Sequence, residues 1–201
     1  MTTGQLSLEE EPTEARSRAA ERLLADATVL VAGGTGRVGR HLVGALLNAG
    51  ATVVVPSRSA RKIDQLRGAV PPDDHDRLVT LVGDIADERE GPRVRDAAIA
   101  AAGGRLDGAV ASLGDFVPAP SVLAAPRGDL VRALDGYLLA HFLVARAVIP
   151  ALQERGGSYT FINGPLAFEP MFPGTGIVSV ATAAQSMLTR VLAKELEGLV
   201  P

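Results

Sequence analysis

The 201-residue chain contains no cysteine and no tryptophan, and its aromatic side chains are limited to two tyrosines and five phenylalanines. Without cysteine there is no disulfide framework and no thiol nucleophile. The three histidines, His41, His75 and His141, are scattered without the spacing of a metal site. We therefore expect no bound metal, and a core built from Ala, Val and Leu, which suits helices packed on a buried sheet.

The chain also lacks a strong excess of either charge. Twenty Lys and Arg residues are balanced by 23 Asp and Glu residues, which gives a net charge of −3, and these residues are dispersed along the sequence. No basic stripe indicates a nucleic-acid partner. No uninterrupted apolar stretch approaches the length of a bilayer span, and the polar, acidic N-terminus has no apolar signal core. We therefore expect a cytoplasmic protein without a nucleic-acid or membrane partner.

The chain divides into a short N-terminal segment and one domain. Residues 1–27 predict either a surface helix or a disordered tail, and both alternatives stay open. Residues 28–201 are long enough to bury a core, and no internal repeat or low-complexity segment interrupts them.

From Thr28 onward, short apolar runs rich in β-branched residues alternate with helical stretches. The runs are apolar almost throughout, which is typical of strands covered on both faces. This alternation predicts an α/β fold, a doubly wound parallel sheet of the Rossmann type in a single domain. The predicted strands cover 28–33, 51–56, 77–83, 106–114 and 158–163, and two long helices cover 129–153 and 178–196.

A glycine-rich turn, GGTGRVG, joins the first predicted strand to the first helix. A dinucleotide-binding turn uses three glycines, which here would be Gly33, Gly36 and Gly39. One permits a tight turn, one lets a pyrophosphate approach, and one permits close helix–strand packing. The phosphate would meet free N–H groups at the positive end of the helix. We therefore predict a dinucleotide site here, with a tight turn that binds no ligand as the alternative. The other predicted contacts in this turn are Thr35, Arg37 and Val38.

The end of the second strand bears on which dinucleotide binds. An NAD-selective site usually has Asp or Glu there, whereas this chain has Ser57 followed by Arg58. An arginine can pair with the 2′-phosphate of NADP(H), which an acid would repel. Arg37 and Arg61 can assist. We therefore predict NADP(H) in preference to NAD(H); the alternative is a solvated basic start to a helix.

With these residues in place, the chain resembles the short-chain dehydrogenase/reductase family over about residues 28–197. Its glycine turn is similar to the extended form of that family's dinucleotide turn. Asp84 and Ile85 match the family's pair that contacts the adenine. Ser112 and Gly114 lie where the family has an Asn-Asn-Ala-Gly segment, of which only Gly114 is kept. The resemblance implies cofactor contacts at these four positions and an oxidoreductase activity.

The same resemblance implies that the family's catalytic residues are replaced. The family uses a Tyr with a Lys four residues later, and a Ser that orients the carbonyl. Tyr137 stands where the family has an Asn in the long helix. Family members also continue beyond the last helix with segments that this sequence does not show. The Tyr position falls on Val178 or Ile177, the Lys position on Thr182 or Ala181, and the Ser position on Gly164 or Pro165.

Tyr137 and His141 stand four residues apart on the long helix and therefore share one face. We expect this pair to donate and relay a proton in place of the usual residues. Ordinary packing on an interface helix is the alternative.

Two classes of function stay open. The first is an NADP(H)-dependent oxidoreductase with an atypical proton donor, which the glycine turn favours. The second is a non-redox protein on the same scaffold: a nucleotide-sensing or partner-binding protein, or an isomerase- or cyclase-like enzyme. The absence of the Tyr and Lys favours the second. The two long helices carry more apolar surface than one sheet face needs, and relatives of this shape use them in a four-helix contact. We therefore expect a homodimer or homotetramer.

Overall fold

Five short strands form one parallel sheet in the computed structural model, which describes residues 23–197. The strand order is β3-β2-β1-β4-β5, with every neighbouring pair parallel. Helices cover both faces of the sheet, so the predicted doubly wound α/β fold is confirmed. The strands are β1 (Thr28–Ala32), β2 (Thr52–Ser57), β3 (Leu78–Val82), β4 (Gly108–Ala111) and β5 (Ser158–Phe161).

Six α-helices alternate with or follow these strands. One turn of π-helix, Asp135–Leu139, joins α4 to α5, so that residues 127–153 form one long interrupted helix. Two short 3-10 helices cover Pro72–Arg77 and Pro165–Ala167. The α-helices are α1 (Gly39–Asn48), α2 (Ala60–Ala69), α3 (Gly91–Ala101), α4 (Arg127–Leu134), α5 (Ala140–Gln153) and α6 (Gly176–Leu196).

The alternating side chains of β1 divide the core into two layers. Val29 and Val31 pack with buried residues of α1 and α2 on one face of the sheet. Leu30 and Ala32 pack with buried residues of α3 and α5 on the other face. Because successive side chains of a strand point to opposite faces, an all-apolar strand must be covered twice. The apolar run in the sequence therefore places β1 at the centre of the sheet.

Some predicted boundaries were wrong by a few residues. The fourth strand ends at Ala111, not at residue 114, because the chain turns away from the sheet and Gly114 has a φ of +136°. The last helix begins at Gly176, two residues before the predicted start. The prediction for residues 1–22 lies outside the described residues. Leu23–Asp26 form a turn in which Leu24 N–H donates to the carbonyl of Ala49.

Two helices are long and apolar enough to cross a membrane by length and composition, contrary to the expectation from uninterrupted apolar stretches. They are Arg127–Gln153 and Gly176–Leu196, with mean hydropathies of 1.3 and 1.2. The core helices of globular proteins pass the same test, so it is weak evidence for a membrane span. Within the described residues, about a third of each apolar window is buried against the rest of the chain.

Candidate active site

The glycine turn lies between β1 and α1, at the carboxyl edge of the sheet. Gly33 has a φ of +81°, and its carbonyl accepts a hydrogen bond of 2.8 Å from Gly36 N–H. A Cβ on Gly33 would lie 2.2 Å from the carbonyl oxygen of Ser112. A Cβ on Gly39 would lie 2.0 Å from the carbonyl oxygen of Gly33. Gly33 therefore makes the tight turn, and Gly39 allows the helix to pack against it.

Gly36 has a different environment from the other two glycines. A Cβ there would meet only the Gly33 carbonyl oxygen, at 3.1 Å, and otherwise project into open space. No side chain caps the N-terminus of α1, whereas Ser59 caps α2 through Lys62 N–H. The N–H groups in the first turn of a helix have no partner within that helix. Arg40 and His41 donate their N–H groups to the carbonyls of Gly36 and Val38, whereas the N–H groups of residues 37–39 have no backbone acceptor in the described part of the chain. The turn therefore leaves open space and three unpaired backbone donors next to each other.

Two further pairs of predicted cofactor residues meet at the ends of β2 and β3. The hydroxyls of Thr35 and Ser57 lie 3.3 Å apart. The Arg58 guanidinium lies 3.7 Å from the Asp84 carboxylate, and the Arg58 side chain is 80% exposed. The sequence predicted each of these residues for the site but did not indicate that they form pairs.

Asp84 and Ile85 differ in what they offer a ligand. The Asp84 carboxylate accepts a hydrogen bond from Ala86 N–H, which orders the turn after β3. Ile85 is buried in the core, so its side chain is not at the surface of the site. Of the two, Asp84 alone has a side chain at the surface, where it is 29% exposed.

The turn after β4 carries a close contact between Gly114 and Tyr137. A Cβ on Gly114 would lie 2.2 Å from Cε1 of the Tyr137 ring, so the ring lies directly against the glycine backbone. Tyr137 occupies the middle of the π-helical turn, a feature that is frequent at functional sites. Ser112, next to β4, donates its backbone N–H to the carbonyl of Ala32. The site therefore brings the long helix against the end of the central strands.

His141 is fully buried and bonds to the backbone of Tyr137, not to its phenol. Its Nδ1 donates to the Tyr137 carbonyl oxygen at 2.6 Å, and its ring stacks on Phe161 at 5.5 Å between centroids. Burial lowers the pKa of His141, although its hydrogen bond to the Tyr137 carbonyl and the nearby backbone of Ala111 oppose that shift. His141 is therefore neutral at pH 7 and holds the π-helical turn. Among the described residues, the structure shows no hydrogen bond between the two side chains.

Tyr137 is the tyrosine that the structure places at this edge. Burial raises its pKa above 10.0, and the nearby Asp115 carboxylate raises it further. The chain's other tyrosine, Tyr159, lies in β5 with a buried hydroxyl that has no hydrogen-bond partner in the described structure. Asp115 follows Gly114 in the loop after β4, at the strand end where the sequence predicts it to lie near Tyr137 and His141.

The positions at which the sequence resemblance puts the family's Tyr and Lys are packed into the interior. Ile177 and Ala181 belong to a buried cluster with residues of the loop after β4. Val178 is also buried, and the hydroxyl of Thr182 donates to its carbonyl at 2.8 Å. Both alignments therefore place buried side chains without an acid or a cation at these positions.

The end of β5 is tied to α6 through Asn163. Its Nδ2 donates to the carbonyl of Thr182 at 3.0 Å and to the hydroxyl of Ser186 at 2.9 Å. Gly164, one of the two residues at which the resemblance puts the family's Ser, donates its N–H to the Asn163 side chain. Asn163 therefore fixes the loop that begins at this edge.

The chain resembles known reductases and dehydrogenases. The sequence model of a family described as enoyl-(acyl carrier protein) reductase matches residues 34–198. No curated protein sequence matches the chain.

Solved structures share the fold. An NADPH-bound short-chain oxidoreductase from Pseudomonas aeruginosa PAO1, described as containing an atypical catalytic center, is 23% identical with a TM-score of 0.80. That comparison covers 89% of this chain and 69% of the other. A citronellol catabolism dehydrogenase from the same organism is 25% identical with a TM-score of 0.76, over 88% of this chain and 71% of the other. A short-chain dehydrogenase from Salmonella enterica serovar Typhi CT18 is 22% identical with a TM-score of 0.79, over 89% and 74%.

The family match spans most of the chain, and the strand order, the glycine turn and the long helices agree with it. The protein is therefore a member of the short-chain dehydrogenase/reductase family, with an α/β Rossmann-type domain.

Proposed function

We propose that this protein is an NADP(H)-dependent oxidoreductase whose proton donor is not the family's usual Tyr–Lys pair. The observation that carries the proposal is the glycine turn, where Gly36 faces open space in front of an uncapped helix N-terminus. A turn with a purely structural role needs Gly33 and Gly39 but has no need of a glycine at position 36. The residues present therefore fit a dinucleotide pyrophosphate.

The cofactor contacts extend from this turn along the carboxyl edge. Arg58 supplies the cation for a 2′-phosphate, and no acid precedes it at Ser57. Asp84 presents a carboxylate on the adenine side. The NADPH-bound relative from Pseudomonas aeruginosa is consistent with this choice. The other proposed contacts are Thr35, Arg37, Val38, Ile85 through its backbone, Ser112 and Gly114.

Tyr137 is the proposed proton donor. When bound, the cofactor supplies a hydride to a carbonyl carbon. The Tyr137 phenol then donates its proton to the carbonyl oxygen and takes a proton back from water. Its raised pKa keeps the phenol protonated at neutral pH but makes it a weaker acid, so the reduction should be slow. The reverse reaction needs a phenolate, and no lysine is present to stabilise one, because the two lysines are Lys62 in α2 and Lys194 late in α6.

His141 is a positioning residue in this scheme. It is buried beneath the π-helical turn and holds the Tyr137 carbonyl. The expected proton relay through the His141 side chain has no supporting contact, so we assign it no proton transfer.

The test is a panel of ketones and aldehydes assayed with NADPH, comparing wild type with Tyr137→Phe. We expect slow reduction that falls about 10²- to 10⁴-fold in the variant, the usual contribution of a general acid. The reduction rate should stay level up to about pH 9, and alcohol oxidation should be near background. Reduction that survives the substitution unchanged would contradict the role of Tyr137.

The second candidate function is a nucleotide-sensing or partner-binding protein without redox activity. The observation that favours it is the aliphatic packing of Ile177, Val178 and Ala181 at the family's catalytic positions. Tight NADPH binding combined with no turnover on any carbonyl would favour this function over the first. An isomerase- or cyclase-like reaction would show itself as substrate conversion without oxidation of NADPH.

We also propose that a second copy of the chain, and not a lipid bilayer, covers the apolar face of α5 and α6. A groove on this face is lined by Phe142, Ile149 and Leu192, with Arg146 at its side. Val180, Met187 and Val191 are exposed on α6. A cation within the apolar face suits a protein interface better than a hydrocarbon core. The proposed assembly is a homodimer or homotetramer acting in the cytoplasm.

A further inference from the structure

Two loops leave the sheet beside Tyr137, and both carry exposed apolar side chains. The first, residues 112–126, joins β4 to α4, and the second, residues 162–175, joins β5 to α6. The first loop begins at the turn on which the Tyr137 ring lies. The start of the second loop includes Asn163, which precedes the two residues at which the resemblance puts the family's Ser. We call these two segments the edge loops. Their exposed large apolar residues are Phe116, Val122, Leu123, Phe168, Met171 and Phe172.

The edge loops are joined to each other and to α6. Ala119 N–H donates to the carbonyl of Gly174 at 3.1 Å. The Val122 side chain lies so close to the Gly176 backbone that a Cβ there would be 2.4 Å away. Val117 and Ala119 are buried in the same cluster as Ile177 and Ala181. The exposed side chains therefore sit on a fixed base.

Proline adds to this rigidity. Six of the 13 prolines in the sequence lie in the edge loops, and each fixes its own φ. Fewer conformations are lost when a ligand binds to such a wall, so less of the contact energy is spent on ordering it. Apolar groups on a preformed wall at the edge of a reaction site are typical of ligand grooves.

The charges of the edge loops further restrict the class of ligand that can bind to them. Their only charged residues are Asp115 and Glu169, both acidic, and neither loop contains a lysine or an arginine. The nearest cation in sequence is Arg127, the first residue of α4. A carboxylate or phosphate on the substrate would find no cationic partner in these loops and would be repelled by the two acids.

We propose that the edge loops form the substrate wall and select uncharged, apolar carbonyl compounds over carboxylates and over phosphate-bearing thioesters. This inference rests on the proposed oxidoreductase function. It assigns the substrate class from the loops, whereas the cofactor assignment comes from the glycine turn, so the two can fail separately.

The test is a binding series with methyl ketones of increasing length, from butanone to decanone, titrated by calorimetry with and without NADPH. Carboxylates and coenzyme A thioesters of matched length form the comparison. We expect affinity to rise about two- to fourfold for each added methylene, because each buries apolar area. The matched anionic ligands should bind at least about tenfold more weakly.

Substitutions in the edge loops test whether the ketone binds there. Leu123 and Phe168 are 99% and 80% exposed, so Leu123→Ala and Phe168→Ala remove little packing and should leave the fold intact. Each should weaken binding of the longest ketone about threefold or more. Leu23→Ala is the matched control, because Leu23 is 78% exposed and precedes β1 at the opposite edge of the sheet.

Each outcome bears on one of the two proposals. Failure of NADPH to bind would contradict the proposed function, while the ketone series without nucleotide would still test the edge loops. A flat ketone series, or equal binding of the carboxylates, would overturn the proposed substrate class. Variants that change the mass of the assembly by light scattering but not ketone affinity would also overturn it, because the edge loops would then be a protein interface.

Discussion

Arg58 has two candidate anionic partners, the carboxylate of Asp84 and the 2′-phosphate of the proposed cofactor. In the structure its guanidinium faces the Asp84 carboxylate at 3.7 Å, and the arginine side chain is largely exposed. Such an exposed pair contributes about 0–1 kcal/mol. A charge-assisted bond to a 2′-phosphate contributes about 1.5–3 kcal/mol, so a phosphate can displace Asp84.

We therefore expect Arg58→Ala to weaken NADPH binding by about 1.5–3 kcal/mol and to leave NADH binding nearly unchanged. Fluorescence titration with both nucleotides measures the two effects. Arg93→Ala, an exposed arginine in α3, is the control. Wild-type protein that binds NADH as tightly as NADPH would show that Arg58 does not select the cofactor.

Burial of His141 predicts a loss of stability in mild acid. Its pKa is lowered in the folded state from 6.5, so the unfolded chain binds a proton more readily. Stability from this group is thus complete above about pH 6.5 and falls as the pH decreases toward the lower folded value.

We expect the free energy of unfolding to decrease between about pH 7 and pH 5, and the decrease to be smaller in His141→Leu. Denaturant titrations at several pH values measure the free energy of unfolding of both proteins. The protonation of carboxylates, whose ordinary pKa lies near 4, falls outside this window. An unfolding free energy in wild type that is constant across this range would contradict the assignment.

Among single residues, the sequence placed the predicted cofactor residues along one edge of the sheet but did not predict their contacts with one another. The glycine spacing, Ser57, Arg58 and Asp84 all lie along one edge, because parallel strands end together there. The helical spacing of Tyr137 and His141 placed them on one face. It did not show that the His141 ring would reach the Tyr137 carbonyl and not the phenol, since that depends on the π-helical turn.

At the scale of elements, the glycines of the turn between β1 and α1 differ in role: one is required for packing, and another is proposed to make room for the cofactor. Gly39 packs against the Gly33 carbonyl, whereas Gly36 faces open space. Gly36→Val should abolish NADPH binding and change the free energy of unfolding by no more than about 1 kcal/mol.

Gly39→Ala is the comparison, since its Cβ would be forced against backbone. We expect it to lower the free energy of unfolding by about 1–3 kcal/mol, as overpacking does. Thermal unfolding and nucleotide titration of both variants test this. Normal NADPH binding by Gly36→Val would place the phosphate elsewhere.

The strands and helices could be predicted from the apolar pattern of the sequence because the sheet is covered on both faces. The ends of these elements could not be predicted in this way. The end of β4, for example, depends on the backbone of Gly114 and on the ring of Tyr137 that lies against it. The π-helical turn has no distinct pattern in the sequence, because its residues continue the helical spacing on either side.

At the scale of the whole molecule, the exposed apolar face of α5 and α6 predicts self-association. Phe142 and Met187 are about half exposed on this face, and an aspartate at either would place a charge in the contact. We expect wild type to be a dimer or tetramer at micromolar concentration, and Phe142→Asp and Met187→Asp to be monomeric. Light scattering measures the mass, and Leu23→Asp is the control. A monomeric wild type would contradict the proposed assembly.

The position of the two tyrosines also gives the protein an optical property. Because the chain has no tryptophan, ultraviolet emission comes from Tyr137 at the candidate active site and Tyr159 in the interior. The Tyr159 hydroxyl is buried and its ring packs partly buried against the core, so its signal should change little when a ligand arrives, whereas Tyr137 lies against the turn where the ligand is expected. The protein therefore carries its own fluorescent reporter and its own internal reference, and subtracting the spectrum of Tyr137→Phe isolates the reporter.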